Sequence, residues 1–255
     1  MKGIQDKVVV VTGGAGGIGS AICRRFAEDG AVVAVFDINK EAAEAVATEI
    51  RSSGGRASAF AVNLTDQDSV QTEVAATEQQ LGPIEVLVNN AGWDKVGNFL
   101  DTEKPLWDQI VAINLYGALY MHHAVLKGMS QRGRGRVINV ASDAARVGSS
   151  GEAVYAFCKG GLVSFSKTIA RELARKQINI NVVCPGPTDT PLLDDICGEG
   201  EQGEKLRTAF TRAIPFGRLG QPGDLPGIIA FLASDEAAFI TGQVISVSGG
   251  LTMAG

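Results

Sequence analysis

Positive charge is scarce and scattered in this 255-residue chain. It carries 23 Lys and Arg residues against 28 Asp and Glu residues, which gives a formal net charge of −5. A nucleic-acid-binding surface needs clustered cations to neutralise phosphates. The basic cluster at residues 132–136 is short and fits a solvated loop. We therefore expect no nucleic-acid partner.

Long apolar runs are missing as well. No run reaches the ~18 to 20 apolar residues that a membrane-spanning helix needs. Residues 1–6 are polar, whereas a secretory signal carries an apolar segment near its start. The sequence thus predicts no membrane association, and we expect a cytoplasmic protein.

Cysteine and histidine are few. The four cysteines form no Cys-x-x-Cys pair and have no ligand-like spacing to His122 or His123. Disulfide frameworks and zinc centres depend on such spacings. We therefore expect no metal, and free thiols at Cys23, Cys158, Cys184 and Cys197.

The chain does contain a regular alternation of short apolar segments and helical patterns. The expected strands are residues 7–11, 31–36, 57–62, 85–88, 136–140, 178–183 and 244–247. The expected helices are residues 18–28, 40–52, 66–81, 104–130, 154–175 and 221–234. Near-continuous apolar strands separated by helices predict a parallel sheet covered on both faces. The fold class is thus α/β: a single-domain, Rossmann-type, doubly wound parallel sheet over residues 1–255.

One long polar stretch, residues 194–204, interrupts this alternation. Its glycines and acidic residues fit a disordered surface loop. Long loops in compact α/β domains are often functional, so a substrate-covering lid is an equal alternative. We expect a substrate loop at about residues 187–217, and the pattern leaves open whether residues 191–214 form an ordered lid.

A glycine-rich turn follows the first expected strand and opens the first helix. Glycine permits positive φ and close backbone approach, and a helix N-terminus presents free N–H groups with partial positive charge. In a first β-α-β unit this pattern is typical of pyrophosphate binding. The expected dinucleotide-binding residues of the turn are Gly13, Gly16, Gly17, Ile18 and Gly19.

Asp37 directly follows the second expected strand. A carboxylate there accepts hydrogen bonds from the adenosine ribose hydroxyls of NAD and repels the 2′-phosphate of NADP. The turn also has no basic residue at positions 14–16 to pair with that phosphate. Both features favour NAD, and the alternative is an ordinary strand-end aspartate that begins a turn.

Tyr155 and Lys159 lie four residues apart on an expected helix, hence on one face. Ser142 follows strand 136–140, at the carboxyl edge where open α/β sheets bind ligands. A nearby ammonium favours the phenolate of a tyrosine, which suits proton transfer at an alcohol oxygen. A serine hydroxyl can hydrogen-bond that oxygen. The spacing alone also fits an ordinary pair on a helix surface.

With these motifs in this order, the chain resembles the short-chain dehydrogenase/reductase family over essentially its full length. The motifs that carry the likeness are residues 12–19, 89–92, Asn114, Ser142, residues 155–159, 185–190 and 242–250. The resemblance implies an NAD-dependent oxidoreductase that interconverts a secondary alcohol and a ketone. Hydride then moves directly between substrate and nicotinamide, and the protein supplies placement and proton transfer.

The resemblance also implies roles for individual residues. Tyr155 would be the general acid/base and would also contact the cofactor, and Lys159 would lower the pKa of Tyr155 and bind the nicotinamide ribose. Ser142 would position the substrate oxygen, and Asn114 would hold a water-linked proton path to Lys159. Further expected cofactor contacts are Asn63, Leu64, Asn90, Ala91, Gly92, Pro185, Gly186, Thr188 and Thr190. Further expected substrate contacts are Asp143, Ala144 and Arg146.

Two of these positions depart from the family pattern. Asn63 stands where an aspartate often contacts adenine, and its amide oxygen can still accept a hydrogen bond. Thr188 replaces the usual aliphatic residue at a position whose contact is expected from the backbone. We expect both changes to be tolerated.

The likeness extends over several substrate classes. It includes dehydrogenases of hydroxyacyl-CoA thioesters, and the narrowest expectation is 2-hydroxycyclohexanecarboxyl-CoA, oxidised to its 2-oxo form in aromatic degradation. The alternatives are a 3-oxoacyl-carrier-protein reductase and a dehydrogenase of cyclic alcohols or sugars. A non-catalytic dinucleotide-binding scaffold is a further alternative, although such a protein has no need of Tyr155 and Lys159. The resemblance also implies a homotetramer built on the helices at residues 104–130 and 154–175.

Overall fold

A computed structural model describes residues 1–254 and arranges seven parallel strands in the order β3-β2-β1-β4-β5-β6-β7. The strands are β1 (Val8–Thr12), β2 (Val32–Asp37), β3 (Arg56–Ala61), β4 (Ile84–Asn89), β5 (Gly135–Val140), β6 (Ile178–Pro185) and β7 (Val244–Val247). Each adjacent pair is parallel. The predicted doubly wound α/β sheet is confirmed.

Helices cover both faces of the sheet. They are α1 (Gly17–Glu28), α2 (Lys40–Ser52), α3 (Gln67–Leu81), α4 (Lys104–Val111), α5 (Gly117–Arg132), α6 (Ala144–Val147), α7 (Ala153–Leu173), α8 (Pro191–Cys197), α9 (Gly200–Ala213) and α10 (Pro226–Ala233). Short 3₁₀ turns lie at Phe99–Asp101, Ala174–Lys176, Pro222–Asp224 and Asp235–Ala237.

Alternate residues of β1 pack on opposite faces of the sheet. Val9 and Val11 belong to a cluster with residues of α1 and α10, whereas Val8 and Val10 belong to a cluster with Met121 of α5. A strand covered on both faces buries every side chain, which explains the unbroken valine run. Full burial of one such side chain contributes roughly 1.5–3 kcal/mol.

The sheet order places β1 between β2 and β4. The direction of winding reverses there, and the carboxyl ends of the central strands open a crevice at such a point. Thr12 ends β1 and Asn89 ends β4. The glycine turn and the residues after β4 therefore meet at one edge of the sheet.

The predicted helix at 104–130 is interrupted in the structure. A π-helical turn, Ala112–Tyr116, separates α4 from α5. The predicted helix at 221–234 likewise begins as a 3₁₀ turn, and α10 starts only at Pro226. Proline lacks an N–H donor and is favoured in the first turn of a helix, which explains that later start.

The polar stretch at 194–204 is helical, so its interpretation as a disordered loop is wrong. Residues 191–214 lie almost entirely in α8 and α9. Thr190 caps α8, because its hydroxyl accepts a hydrogen bond from the backbone N–H of Leu193 at 3.3 Å. Arg207 of α9 pairs with Asp189 at 2.6 Å and with Asp194. These polar contacts compensate for the low apolar content of the segment.

Three of the four cysteines are buried, and Cys197 at the end of α8 is partly exposed. All four are free thiols. No helix within residues 1–254 is long and apolar enough to cross a membrane.

Candidate active site

The glycine turn fits closely against the residues that follow β4. Gly13 has φ +61°, and a Cβ atom placed on it would lie 2.9 Å from the Cα atom of Ala91. A side chain is therefore excluded by both conformation and space. Gly16 caps α1 without a side-chain hydrogen bond, so the first N–H groups of the helix remain available to an anionic ligand.

Thr12 and Asn90 hold the two strand ends together. The Thr12 hydroxyl accepts hydrogen bonds from the backbone N–H groups of Asn90 (3.0 Å) and Ala91 (3.1 Å). The Asn90 side chain donates to the carbonyl oxygens of Thr12 (3.1 Å) and Gly13 (3.2 Å). Thr12 belongs to the predicted motif at residues 12–19, but its role in joining the two strand ends was not predicted.

Asp37 supports the glycine turn from the end of β2. One carboxylate oxygen accepts from the backbone N–H of Ala15 at 3.1 Å, and the other accepts from Asn39 at 3.0 Å. Each oxygen retains a second lone pair. The carboxylate thus begins a turn, as the simpler interpretation held, and still has capacity for a ligand.

A cavity of about 770 Å³ lies at this edge of the sheet. Ligand sites commonly have volumes of ~300–1,000 Å³. The lining consists of residues 13, 16–19, 36–38, 62–65, 90–93, 109, 112, 113 and 190–192. It therefore combines the glycine turn, the strand-end aspartate and the loop after β4, and these parts fit an extended dinucleotide.

The lining includes most of the predicted cofactor contacts. Those in the lining are Gly13, Gly16, Gly17, Ile18, Gly19, Asp37, Asn63, Leu64, Asn90, Ala91, Gly92 and Thr190, and those outside it are Tyr155, Lys159, Pro185, Gly186 and Thr188. Asn63 differs from expectation in one respect. Its amide oxygen already accepts two hydrogen bonds from Thr65, at 3.1 and 2.8 Å. The amide nitrogen is thus the better placed group for adenine.

Lys159 is buried beside Tyr155 on α7. Its side chain is 2% exposed, its ammonium donates to the carbonyl oxygen of Val140 at 3.1 Å, and the nitrogen lies 5.5 Å from the centre of the Tyr155 ring. A Cβ atom placed on Gly92 would lie 3.2 Å from the Lys159 nitrogen and 3.0 Å from Oδ1 of Asn114. The structure therefore brings Lys159 and Asn114 together behind the loop after β4.

The pKa values of Tyr155 and Lys159 shift in opposite directions. Burial lowers the pKa of Lys159 to about 8. Burial, with smaller effects of the Glu152 and Asp94 carboxylates, raises the pKa of the Tyr155 phenol, and an interaction with Ser142 opposes this rise. In the chain without ligands, Tyr155 therefore carries its proton at neutral pH.

Asn114 lies in the π-helical turn and anchors the loop after β4. Its Nδ2 donates to the carbonyl oxygens of Trp93 (2.6 Å) and Ile110 (2.9 Å), and its Oδ1 accepts from the backbone N–H of Trp93 at 3.2 Å. π-helical turns of this kind are frequent at functional sites.

The predicted substrate contacts at 143–146 bond mainly to other parts of the chain. Asp143 accepts a hydrogen bond from Ser246. Arg146 donates to the Ser246 hydroxyl at 2.9 Å and to the carbonyl oxygen of Ala254. Ala144 is buried, and its backbone N–H donates to the Ser142 hydroxyl at 3.1 Å. Ser142 is therefore held in place from the start of α6.

Pro185, Gly186 and Thr188 continue from the end of β6 and form a tight turn. The Thr188 hydroxyl donates to the carbonyl oxygen of Gly186 at 2.9 Å. The backbone N–H of Gly220 donates to Pro187 at 2.9 Å, which fixes this turn against the segment before α10.

Asp94 follows Trp93 after the predicted cofactor loop, a position from which contact with cofactor or substrate is expected. It is 5% exposed, and neither of its carboxylate oxygens has a hydrogen-bond partner within residues 1–254. Its place two residues after Gly92 was the only signal in the sequence. Within the same residues, no group of three His, Cys, Asp or Glu side chains is arranged to hold a metal ion.

Comparisons with known proteins agree with this geometry. A family profile described as enoyl-(acyl carrier protein) reductase matches residues 13–252. The chain is 36% identical over 250 residues to the 3-oxoacyl-[acyl-carrier-protein] reductase FabG of Thermotoga maritima, covering 98% of this chain and 99% of that protein. It is 35% identical over 251 residues to the (2S)-[(R)-hydroxy(phenyl)methyl]succinyl-CoA dehydrogenase subunit BbsD of Thauera aromatica, covering 98% of each.

A solved structure matches over the whole fold. The crystal structure of the 3-ketoacyl-(acyl-carrier-protein) reductase of Brucella melitensis complexed with NADH has a TM-score of 0.90 and 32% identity, covering 98% of this chain and 100% of that one. The chain belongs to the short-chain dehydrogenase/reductase family and is an oxidoreductase of that family. The predicted family and enzyme class are confirmed.

Proposed function

We propose that this oxidoreductase uses NAD to interconvert a secondary alcohol and a ketone, with Tyr155 as the proton-transfer group. The observation that carries the proposal is the buried Lys159 ammonium beside the Tyr155 ring, at the carboxyl edge of the sheet that also holds the 770 Å³ cavity. The bound cofactor would accept the hydride as NAD in alcohol oxidation and would supply it as NADH in ketone reduction. The protein then has to place the substrate and manage its proton.

The preference for NAD is argued from charge. Asp37 lines the cavity, and no Lys or Arg is among the residues that line it. A 2′-phosphate would meet a carboxylate without a compensating cation. The complex of the Brucella melitensis relative contains NADH, which supports the same choice. Titration with NADH and NADPH under equal conditions tests it.

The proton chemistry follows from the positions of three side chains. In the reduction direction, Tyr155 donates its phenolic proton to the carbonyl oxygen, and Ser142 hydrogen-bonds that oxygen as negative charge develops. In oxidation, a charged Lys159 stabilises the phenolate that accepts the alcohol proton. The burial of Lys159 strengthens this effect, because charges interact more strongly away from water.

For the substrate we propose a hydroxyacyl-CoA thioester, with 2-hydroxycyclohexanecarboxyl-CoA as the narrowest candidate. Support comes from the Thauera aromatica relative, which is named as a dehydrogenase of a hydroxyacyl-CoA. A second candidate is a 3-oxoacyl-carrier-protein substrate, favoured by the names of the Thermotoga maritima and Brucella melitensis relatives. Cyclic alcohols and sugars without a thioester are the third class to include in a screen.

A single assay separates these candidates. NAD reduction is followed with 2-hydroxycyclohexanecarboxyl-CoA, a linear 3-hydroxyacyl-CoA, cyclohexanol and a sugar, and NAD(P)H oxidation with a 3-oxoacyl carrier protein. The proposal expects the highest kcat/KM with a CoA thioester and NAD. A clear preference for the carrier-protein substrate would replace it with the second candidate.

We also propose that residues 187–217 form a substrate loop that closes over the site and that the protein is a homotetramer. An exposed cavity of about 770 Å³ between α5 and α7 supports the assembly, since its lining includes Leu126, Phe165, Ile169 and Leu173. Apolar surface of this kind is typical of subunit contacts. Sedimentation of the wild type and of Phe165→Glu tests the tetramer.

A further inference from the structure

Four buried polar side chains form a network that joins the ends of β4 and β5 to α5 and α7. Its members are Asn89, His122, Asn139 and Ser166, and each is at most 5% exposed. Buried polar groups are expected to have hydrogen-bond partners. The Oδ1 atom of Asn89 is buried and has no partner within residues 1–254.

The direction of the hydrogen bonds follows from the two outer members of the network. The Ser166 hydroxyl donates to the carbonyl oxygen of Leu162 at 2.6 Å, so it accepts from Nδ2 of Asn139 at 2.8 Å. Nδ1 of His122 lies 2.6 Å from the carbonyl oxygen of Ala118 and is therefore the protonated nitrogen. Nε2 of His122 then accepts from Nδ2 of Asn139 at 3.2 Å. Both N–H groups of Asn139 are thus used, and its Oδ1 is an acceptor.

Asn139 in turn fixes the amide group of Asn89. Nδ2 of Asn89 donates to Oδ1 of Asn139 at 2.9 Å, and a reversed amide would place two oxygen atoms against each other. The same Nδ2 lies 3.3 Å from Nδ1 of His122, but both nitrogens are donors and form no hydrogen bond with each other. The Oδ1 atom of Asn89 therefore points away from the rest of the network.

A small cavity adjoins Asn89. Its volume is about 10 Å³, and its lining includes Thr12, Asn89, Asn114 and Lys159 but no other member of the polar network. The other lining side chains are aliphatic. Because the amide nitrogen of Asn89 faces the network, Oδ1 is the polar atom of this side chain that faces the cavity. The volume is close to the least that holds one water, which also needs polar partners.

Three of the polar side chains around the cavity have hydrogen-bonding capacity left for a water. Lys159 uses one of its three N–H groups within the chain, and Oδ1 of Asn89 has both lone pairs free. Oδ1 of Asn114 accepts one hydrogen bond, from Trp93. The Thr12 hydroxyl, in contrast, already accepts two hydrogen bonds and donates one. A water in the cavity can thus accept from Lys159 and donate to Asn89 and Asn114.

The Lys159 ammonium is bonded to a carbonyl oxygen rather than to a carboxylate. The titratable groups around it are Tyr155 and Cys158 of α7, Cys184 of β6 and, behind the cavity, His122 of α5. Burial raises the pKa of Cys158 and Cys184 to about 11, raises the pKa of Tyr155 and lowers the pKa of His122 to about 4. All four groups are therefore uncharged at neutral pH, and neutral acceptors have to stabilise the ammonium.

We propose that Asn89 is a positioning residue, whose Oδ1 holds a water that accepts a hydrogen bond from Lys159 and helps to keep Lys159 charged beside Tyr155. The proposal rests on the proposed function, in which a charged Lys159 stabilises the Tyr155 phenolate. Asn114, which was expected to hold a water-linked path to Lys159, is a second acceptor for the same water.

A high-resolution crystal structure of the wild type tests the water directly. We expect one ordered water within hydrogen-bond distance of both Oδ1 of Asn89 and Nζ of Lys159. A cavity without ordered water, or a water bonded to only one of these atoms, would overturn the proposal.

The charge of Lys159 is measured by NMR titration of protein that carries isotope-labelled lysine, with the signal assigned by its absence in Lys159→Met. We expect Asn89→Leu to lower the midpoint of this titration by about one pH unit, because the acceptor is lost. Asn89→Asp retains an oxygen and adds a negative charge, so the midpoint should rise. Ser166→Ala is the matched control, since it removes a buried polar group of the same network outside the cavity lining and should leave the midpoint unchanged.

An unchanged midpoint in Asn89→Leu overturns the proposal. An equal shift in Ser166→Ala does so as well, because loss of packing in the network would then explain both. NADH binding identifies any variant that fails to fold. If Asn89→Leu is such a variant, Asn89→Asp decides: a raised midpoint supports the proposal, and an unchanged or lowered one overturns it.

The effect on turnover depends on the proposed function. Burial lowers the pKa of Lys159 to about 8. At about pH 8, a midpoint about one pH unit lower leaves about one fifth as much Lys159 charged, so kcat for alcohol oxidation should fall about fivefold in Asn89→Leu while KM is unchanged. An unchanged kcat in this variant of an active enzyme overturns the positioning role.

Failure of the proposed function has a different signature. If the wild type oxidises none of the thioesters or alcohols, or if Tyr155→Phe is fully active, the proposed function fails. The ordered water and the Lys159 titration need no substrate and still test the site in that case. If the wild type is active, Tyr155→Phe is not, and Asn89→Leu equals the wild type, only the positioning role fails.

Discussion

The ammonium nitrogen of Lys159 lies 5.5 Å from the centre of the Tyr155 ring, and both residues project from the first turns of α7. Burial lowers the pKa of the lysine to about 8 and raises that of the tyrosine. In water the pKa values of the two groups nearly coincide, whereas here the phenol holds its proton much more tightly than the ammonium does. This relationship leads to the first of four predictions.

Replacing Tyr155 with Phe removes the phenolic proton and keeps the ring. We expect kcat to fall about 10²- to 10⁴-fold, the usual range for loss of a general acid or base, while NADH binds as before. Steady-state kinetics and fluorescence titration of NADH measure the two effects. Tyr116→Phe, at a half-exposed ring outside the site, is the control. Near-normal turnover in Tyr155→Phe would contradict the assigned role.

Replacing Asp37 with Ala removes the charge expected to reject NADP. We expect the preference for NAD over NADP, taken as the ratio of kcat/KM values, to fall at least about tenfold. Stability should also fall by about 1 kcal/mol, because the N–H groups of Ala15 and Asn39 lose their acceptor. Glu41→Ala, an exposed carboxylate nearby, is the control. An unchanged ratio of the kcat/KM values for NAD and NADP would contradict the proposed contact between Asp37 and the adenosine ribose.

A comparison of Gly13→Ala with Gly54→Ala separates the effect of backbone strain from the effect of close contact with neighbouring atoms. Gly13 and Gly54 both have positive φ, at +61° and +85°, but only Gly13 has neighbouring atoms within 4 Å of an added Cβ. Both Ala variants should lose about 1–2 kcal/mol from backbone strain. We expect only Gly13→Ala also to weaken NADH binding, by about tenfold or more. Equal effects of the two substitutions on NADH affinity would contradict this.

We expect the buried side chain of His122 to make the folded protein less stable in acid. It is buried, its Nδ1 lies 2.6 Å from the carbonyl oxygen of Ala118, and burial lowers the pKa of His122 from 6.5 to about 4. Between these pH values the unfolded chain binds the proton and the folded chain does not. Stability therefore falls as the pH drops from about 6.5 to about 4, by roughly 3 kcal/mol in total.

Urea unfolding at several pH values measures this effect. His122→Gln should flatten the pH dependence between 4 and 6.5, whereas His123→Gln, at the exposed neighbouring position, should retain it. A pH dependence that is the same in both variants would show that other groups cause the loss.

The sheet and the glycine turn could be predicted because local patterns dictate them. The valine run of β1 is buried on both faces of the sheet. The turn after it requires a residue with positive φ, and glycine occupies that position at Gly13. The interruption between α4 and α5 could not be predicted in this way. The segment Ala112–Tyr116 has an ordinary helical composition. Asn114 in this segment forms hydrogen bonds with Trp93, a residue 21 positions earlier in the chain.

The same limit applies to α9 and to Asp94. Helix α9 is mostly polar, and Arg207 fixes it through Asp189, a contact across 18 residues. Asp94 is buried because the segments around Trp107 and Glu152 pack over it. Pairings of this kind arise from tertiary packing and leave no periodic pattern.

The distribution of the cysteines has a practical consequence for spectroscopy. Cys23, Cys158 and Cys184 are buried, so Cys197 is the one thiol of the chain that a labelling reagent reaches readily. It is the last residue of α8 and precedes α9, and these are the helices proposed to close over the substrate. Burial raises the pKa of Cys197, so maleimide coupling should proceed best above neutral pH. A fluorophore attached there would report the motion of these helices in stopped-flow experiments on the wild-type protein, with no engineered residue.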